Sequence, residues 1–193
     1  MWNVLLDPLP EEWEGYPIDS DFQTGILISQ CLVDSELTEY EKYATAINLL
    51  FPDENNRPNV ERSIEGLSWY LTEFQHDNPG KKEKHVEVMD FDIDQWRIYS
   101  AFLMQYNIDL NTAKLHWFVF MGLLSNLNEC SFTNVMSIRQ RDITPQMSKK
   151  EKESLIEAKK VFAIKKVTEE PLTEEEQKRV EEFMKYIGKG VNQ

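Results

Sequence analysis

The stretch Leu115 to Leu124, LHWFVFMGLL, constrains this chain more than any other. On a helix of 3.6 residues per turn, Leu115, Trp117, Phe118, Val119, Phe120, Met121, Leu123 and Leu124 fall on every side. A helix that is apolar all round must be covered all round, by its own domain or by another chain. For any single aromatic here burial in the domain is the default, because covering large rings stabilises a fold by about 1.5–3 kcal/mol each. Trp117 is the residue best suited to an interface, and Trp117, Phe120 and Leu124 form the stripe that a partner would meet.

The remaining sequence supplies amphipathic neighbours. Val60, Ile64, Leu67, Leu71 and Phe74 recur at steps of four and three, which predicts a helix with those residues inward. Tyr40, Tyr43, Ala44, Ile47, Leu50 and Phe51 define a second, and Ile93, Trp96, Tyr99, Leu103 and Tyr106 a third. Capping-box patterns open helices at Ser20-Asp21-Phe22-Gln23, Thr38-Glu39-Tyr40-Glu41 and Ser148-Lys149-Lys150-Glu151. Asp90, Asp92 and Asp94 suit the positive end of a helix, and Asn111 is the expected cap of the apolar helix. A shorter helix is expected from Phe132 to Gln140. Val4-Leu5-Leu6 and Tyr16-Pro17-Ile18 around Gly15 predict a small hairpin.

The fold class is therefore mainly α: a compact bundle of about seven helices with a small N-terminal β-hairpin. The main helical domain spans 1–164, with an exposed loop at 76–90 where Pro79-Gly80 and three lysines break the periodicity. Residues 165–193 read as a linker and a C-terminal helix, whose face of Val180, Phe183, Met184 and Ile187 packs on this domain or on a partner.

Little in the sequence points to chemistry. Gly80-Lys81-Lys82 lacks the rest of a phosphate loop, and His76, His85 and His116 lie in separate segments without a second ligand nearby. Asp90-Phe91-Asp92-Ile93-Asp94 resembles the start of a calcium loop, but Gln95 and Ala101 stand where Gly and a bidentate Glu belong. No serine or cysteine carries the surroundings of an activated nucleophile. Cys31 and Cys130 are expected to be reduced, partly buried thiols, and His116 a hydrogen-bonded boundary residue. No enzyme activity, catalytic residue, cofactor or metal is expected.

The N-terminus lacks a signal-peptide pattern, and the apolar run Trp117 to Met121 is far short of the ~20 residues of a membrane span. A soluble intracellular protein is expected. Residues 1–76 carry 15 acids against 3 bases, net −12, and residues 77–193 carry 19 against 18, net −1. So acidic a first half disfavours nucleic acid as a partner.

Three blocks carry a family resemblance. Phe102-Leu103, Tyr106, Ile108-Asp109-Leu110 and Leu115-His116-Trp117 resemble the FLxxYxIDL…LHW signature of a bacteriophage family known by the gene-product number fifteen. LLDPLPEEW (Leu5 to Trp13) and YPIDSDFQTGI (Tyr16 to Ile26) are similar to that family's opening, and Arg139 and Asp142 match a weaker third block. The family's genes lie in the tail-morphogenesis cluster of long-tailed phages and have no accepted catalytic residues. The resemblance implies a tail assembly chaperone in the host cell cytoplasm that binds the tape measure protein before tail-tube polymerisation. The major tail protein and a second copy of the chain are further partners to test, and a minor structural component of the virion is the alternative. The stripes expected to bind are Trp117, Phe120 and Leu124, and Val180, Phe183, Met184 and Ile187.

Overall fold

Glu14 and Gly15 both have positive φ, 51° and 86°. That backbone matches the right-handed twist of a tight hairpin, here joining β1 (Glu12–Trp13) to β2 (Tyr16–Pro17), with Trp13 opposite Tyr16. This computed structural model describes residues 3–73 and 88–164. The described residues up to Ala163 belong to one compact unit, Met1–Ala163. The expected last helix, with Val180, Phe183, Met184 and Ile187, and positions 76–87 of the expected loop lie outside the described residues. Val4-Leu5-Leu6 is not a strand as expected. It is an exposed turn in which Leu6 and Asp7 donate their N–H groups to the Asn3 carbonyl.

Seven helices follow among the described residues: α1 (Phe22–Val33), α2 (Glu39–Leu50), α3 (Val60–Thr72), α4 (Gln95–Tyr106), α5 (Trp117–Ser125), α6 (Ser131–Gln140) and α7 (Lys149–Val161). The mainly α class with a small hairpin is as the periodicity requires. Thr38 and Ser148 form the reciprocal capping boxes their sequences encode. Elsewhere the starts shift. Asp21, not Ser20, caps α1 by accepting the Gln23 N–H at 2.9 Å, and α4 begins after Asp94 rather than at Asp90.

The largest shift is at α5, which begins at Trp117 and not after Asn111. Asn111 instead lies in a turn closed by Thr112 and Ala113 on the Asp109 carbonyl. The chain then runs extended beside the start of α1: Phe22 N–H donates to Leu115 O at 2.9 Å and Trp117 N–H to Ser20 O at 2.7 Å. Those bonds to a distant segment occupy the Leu115 carbonyl and the Trp117 N–H, which a longer helix would otherwise have used.

The apolar helix α5 is the centre of the core, packed on α1, while α1 packs on α2, α2 on α3, α4 on α6 and α6 on α7. Trp117 stacks on Tyr70 and Phe120, and Phe120 on Phe22 and Phe102. Gly25 of α1 lies under the Trp117 ring, where a Cβ would collide with it.

Two helices bury a different stripe from the one their periodicity suggests. On α3 the inward residues are Ser63, Gly66, Leu67 and Tyr70, whereas Val60 and Ile64 are exposed. Gly66 explains the choice: with no side chain it admits the rings of Trp13 and Phe51, which a Cβ there would strike. On α4 the inward residues are Ile98, Ala101 and Phe102, and Trp96 and Leu103 are exposed.

Candidate functional site

His116 uses both of its ring nitrogens. It caps α5: Nδ1 accepts the Phe118 N–H at 3.0 Å, so the proton sits on Nε2, which donates to Pro10 O at 2.9 Å. Burial pushes its pKa below the ordinary 6.5, partly offset by the Pro10 carbonyl and Glu11. The folded state thus favours neutral imidazole. Its stabilisation is complete above the unfolded value of about 6.5 and is lost as pH falls through that value toward the folded one. The urea midpoint is therefore expected to drop between pH 7 and pH 5.5. His116→Asn, whose side-chain oxygen can still cap, flattens that drop; an equally steep drop in the variant would sever the link. Glu41 and Glu151 titrate elsewhere, since the hydroxyls of Thr38 and Ser148 hold them below the usual 4.5.

Among the described residues no group of three or more His, Cys, Asp or Glu is placed to hold a metal. Asp90, Asp92 and Asp94 do not gather as a cation site. Asp90 Oδ1 accepts the N–H groups of Asp92 and Ile93, and Asp94 is buried in an ion pair. Burial also pushes the Cys31 thiol up, which works against thiolate chemistry.

That ion pair is the main feature not visible in the sequence. Arg139 of α6 is 7% exposed and Asp94 is fully buried. Arg139 Nη1 donates to Asp94 Oδ2 at 2.6 Å and Nη2 to Oδ1 at 3.1 Å, a bidentate clasp. Arg139 also donates to Val88 O at 2.9 Å and to Phe162 O at 2.6 Å. Arg97 adds a bond to Asp94 Oδ1 at 3.1 Å and lies over the Phe162 ring. One guanidinium thereby ties the segment before α4, α6 and the end of α7 together. Asp142, from the same block, is exposed.

The expected stripe of Trp117, Phe120 and Leu124 is not a surface. The three residues are 2%, 0% and 6% exposed and fill the core, because α5 is surrounded by α1, α3 and α4. No partner can reach them in this conformation. The described residues do carry an apolar helix face in the open, and it is on α4. Trp96 is 72% exposed and Met104 85%, and they stand at i and i+8 with Ser100 between. Ile93 and Leu103 flank them, about two-fifths exposed.

A groove of about 640 Å³ runs along one side of Trp96, lined by Ser100, Met104, Gln105, Asn128, Glu129 and Cys130 among others. A second of about 420 Å³ lies on the other side, between α4 and the start of α1, lined by Phe22, Ile26, Phe91, Asp92, Tyr99 and Leu110 among others. Trp96 is the ridge between them. Its stripe is visible as periodicity in the sequence, but periodicity alone assigns such a stripe to the core.

A family model described as Bacteriophage Gp15 protein matches residues 5–164. No curated protein and no solved structure matches the chain. No helix among the described residues is long and apolar enough to cross a membrane.

Proposed function

Because the chain belongs to the bacteriophage Gp15 protein family, and so is a phage structural or morphogenesis protein, we propose that it is a non-catalytic tail assembly chaperone. It works in the host cell cytoplasm, where it holds the tape measure protein until tail-tube subunits replace it. The observation that carries this reading is the exposed ridge of Trp96 and Met104 between two grooves, on a helix whose opposite face is already buried. A long amphipathic helix is the type of ligand that such a groove accepts. A tape measure protein exposes such helices before the tube forms. The net charge of −13 keeps the carrier itself soluble while it displays apolar surface.

Co-expression with the tape measure product of the same phage tests the reading. A complex is expected on pull-down, and the protein is expected to be missing from purified particles by mass spectrometry. Presence in particles at fixed copy number would instead make it a minor component of the virion. Failure to retain the tape measure product would end the chaperone reading.

A further inference from the structure

We propose that the outer face of α4 receives an amphipathic helix of another protein that carries a basic residue near each end of its apolar stripe, one meeting Asp92 and the other Glu129. This rests on the functional reading above for the existence of a helical client, and adds what the client must look like.

The shape comes from three residues one turn apart. Trp96, Ser100 and Met104 project along α4 at i, i+4 and i+8, spanning about 12 Å. Ser100 Oγ donates back to Trp96 O at 2.6 Å, so its hydroxyl is already bonded and the position is simply small. A large side chain of the partner seats over Ser100 between Trp96 and Met104, with its neighbours a turn away entering the grooves on either side.

The charge comes from what lines those grooves. Three charged residues do so: Asp92, Arg97 and Glu129. Arg97 is engaged by buried Asp94. Among the described residues neither Asp92 nor Glu129 has a basic partner. Asp92 stands just before α4, held by Gln30 Nε2 at 2.6 Å. Glu129 stands at the other end, because Asn128 N–H donates to Gln105 Oε1 at 2.9 Å in the last turn of α4. The ridge is thus bracketed by two acids about 20 Å apart, three to four turns of a partner helix.

The same acids argue against a second copy as occupant. Two such faces packed antiparallel bring Asp92 of one toward Glu129 of the other, and packed parallel bring like residues together. Either arrangement sets acid against acid.

Fluorescence anisotropy of the full chain with labelled synthetic helices tests this. One peptide carries a leucine stripe with lysine near both ends, and the control has glutamate at those two positions. The lysine-ended peptide is expected to bind at least tenfold tighter, and Trp96→Ala to weaken it at least tenfold without shifting the melting curve. Asp92→Lys with Glu129→Lys should invert the preference. The chain then still carries a net charge of −9, changed from −13, so general attraction to lysine cannot produce the inversion. Equal binding of the two peptides, no binding of either, an unchanged order in the double variant or full affinity in Trp96→Ala would each overturn the proposal. So would a dimer in sedimentation that Trp96→Ala dissolves, which would make the occupant a second copy. Retention of the tape measure product by both wild type and Trp96→Ala would remove this face and leave the chaperone reading standing. Peptide discrimination without retention of the tape measure product would do the reverse.

Discussion

Replacing Arg139 with methionine is expected to lower the stability of the fold by about 3–5 kcal/mol. Methionine matches the length of the aliphatic stem, so lost packing is the smaller part. The larger part is Asp94, fully buried and stripped of its bidentate partner, together with the Val88 and Phe162 carbonyls left without their donor. Arg97 lies too near the surface to compensate such a buried carboxylate alone. Removing both charges, as Asp94→Leu with Arg139→Met, should recover part of the loss, because two neutral side chains avoid the desolvation cost of the pair. Recovery stays incomplete, since the two carbonyls still lack Arg139. Urea unfolding of the single and double variants reads this directly. A double variant less stable than Arg139→Met would show that the charge pair is not the source of the loss.

The second large effect is at Trp117, where truncation to alanine should cost about 3–5 kcal/mol. The ring is 2% exposed and stacks on Tyr70 at 6.0 Å and on Phe120 at 5.9 Å, so its removal leaves a cavity that rigid aromatics cannot fill. A fall in melting temperature on the order of 10 °C is expected for a domain of this size. Gly25→Ala in wild type should also destabilise, by about 1–3 kcal/mol, because its methyl enters the space of the ring. In a Trp117→Ala background that methyl meets the cavity instead, and the penalty should vanish or change sign. Additive losses would mean that Gly25 is required for some other reason. A melting temperature that barely moved in Trp117→Ala would return the residue to the surface.

Much of the fold is legible without coordinates. The capping boxes at Thr38 and Ser148 depend on residues three apart in sequence, and the structure forms both as written. Gly15 marks the hairpin for a similarly local reason: its backbone needs positive φ. The all-round apolar character of α5 requires it to be covered, and it is the core's centre. The boundary of α5 is not legible, because Asn111 is a competent cap. It is passed over only when Leu115 and Trp117 find backbone partners near residue 21.

Periodicity likewise reveals that α3 and α4 are helices, yet not which side of each turns inward. On α3 the choice falls to Gly66, whose missing side chain is an asset only once Trp13 and Phe51 lie against it. On α4 the visible stripe of Trp96 and Leu103 stays outside, while the smaller face of Ile98, Ala101 and Phe102 packs inward. Asp94 and Arg139 are 45 positions apart, and nothing in either segment names the other. Local hydrogen bonds, backbone conformation and apolar period are properties of neighbouring residues, so the sequence alone determined the helices, the caps at Thr38 and Ser148 and the need for a core around α5. Which faces meet, which charges are buried as a pair and which aromatic is left in solvent depend on residues far apart in the chain. Only the packed tertiary structure decided them, because burial is a property of the whole assembly of helices and of no single one.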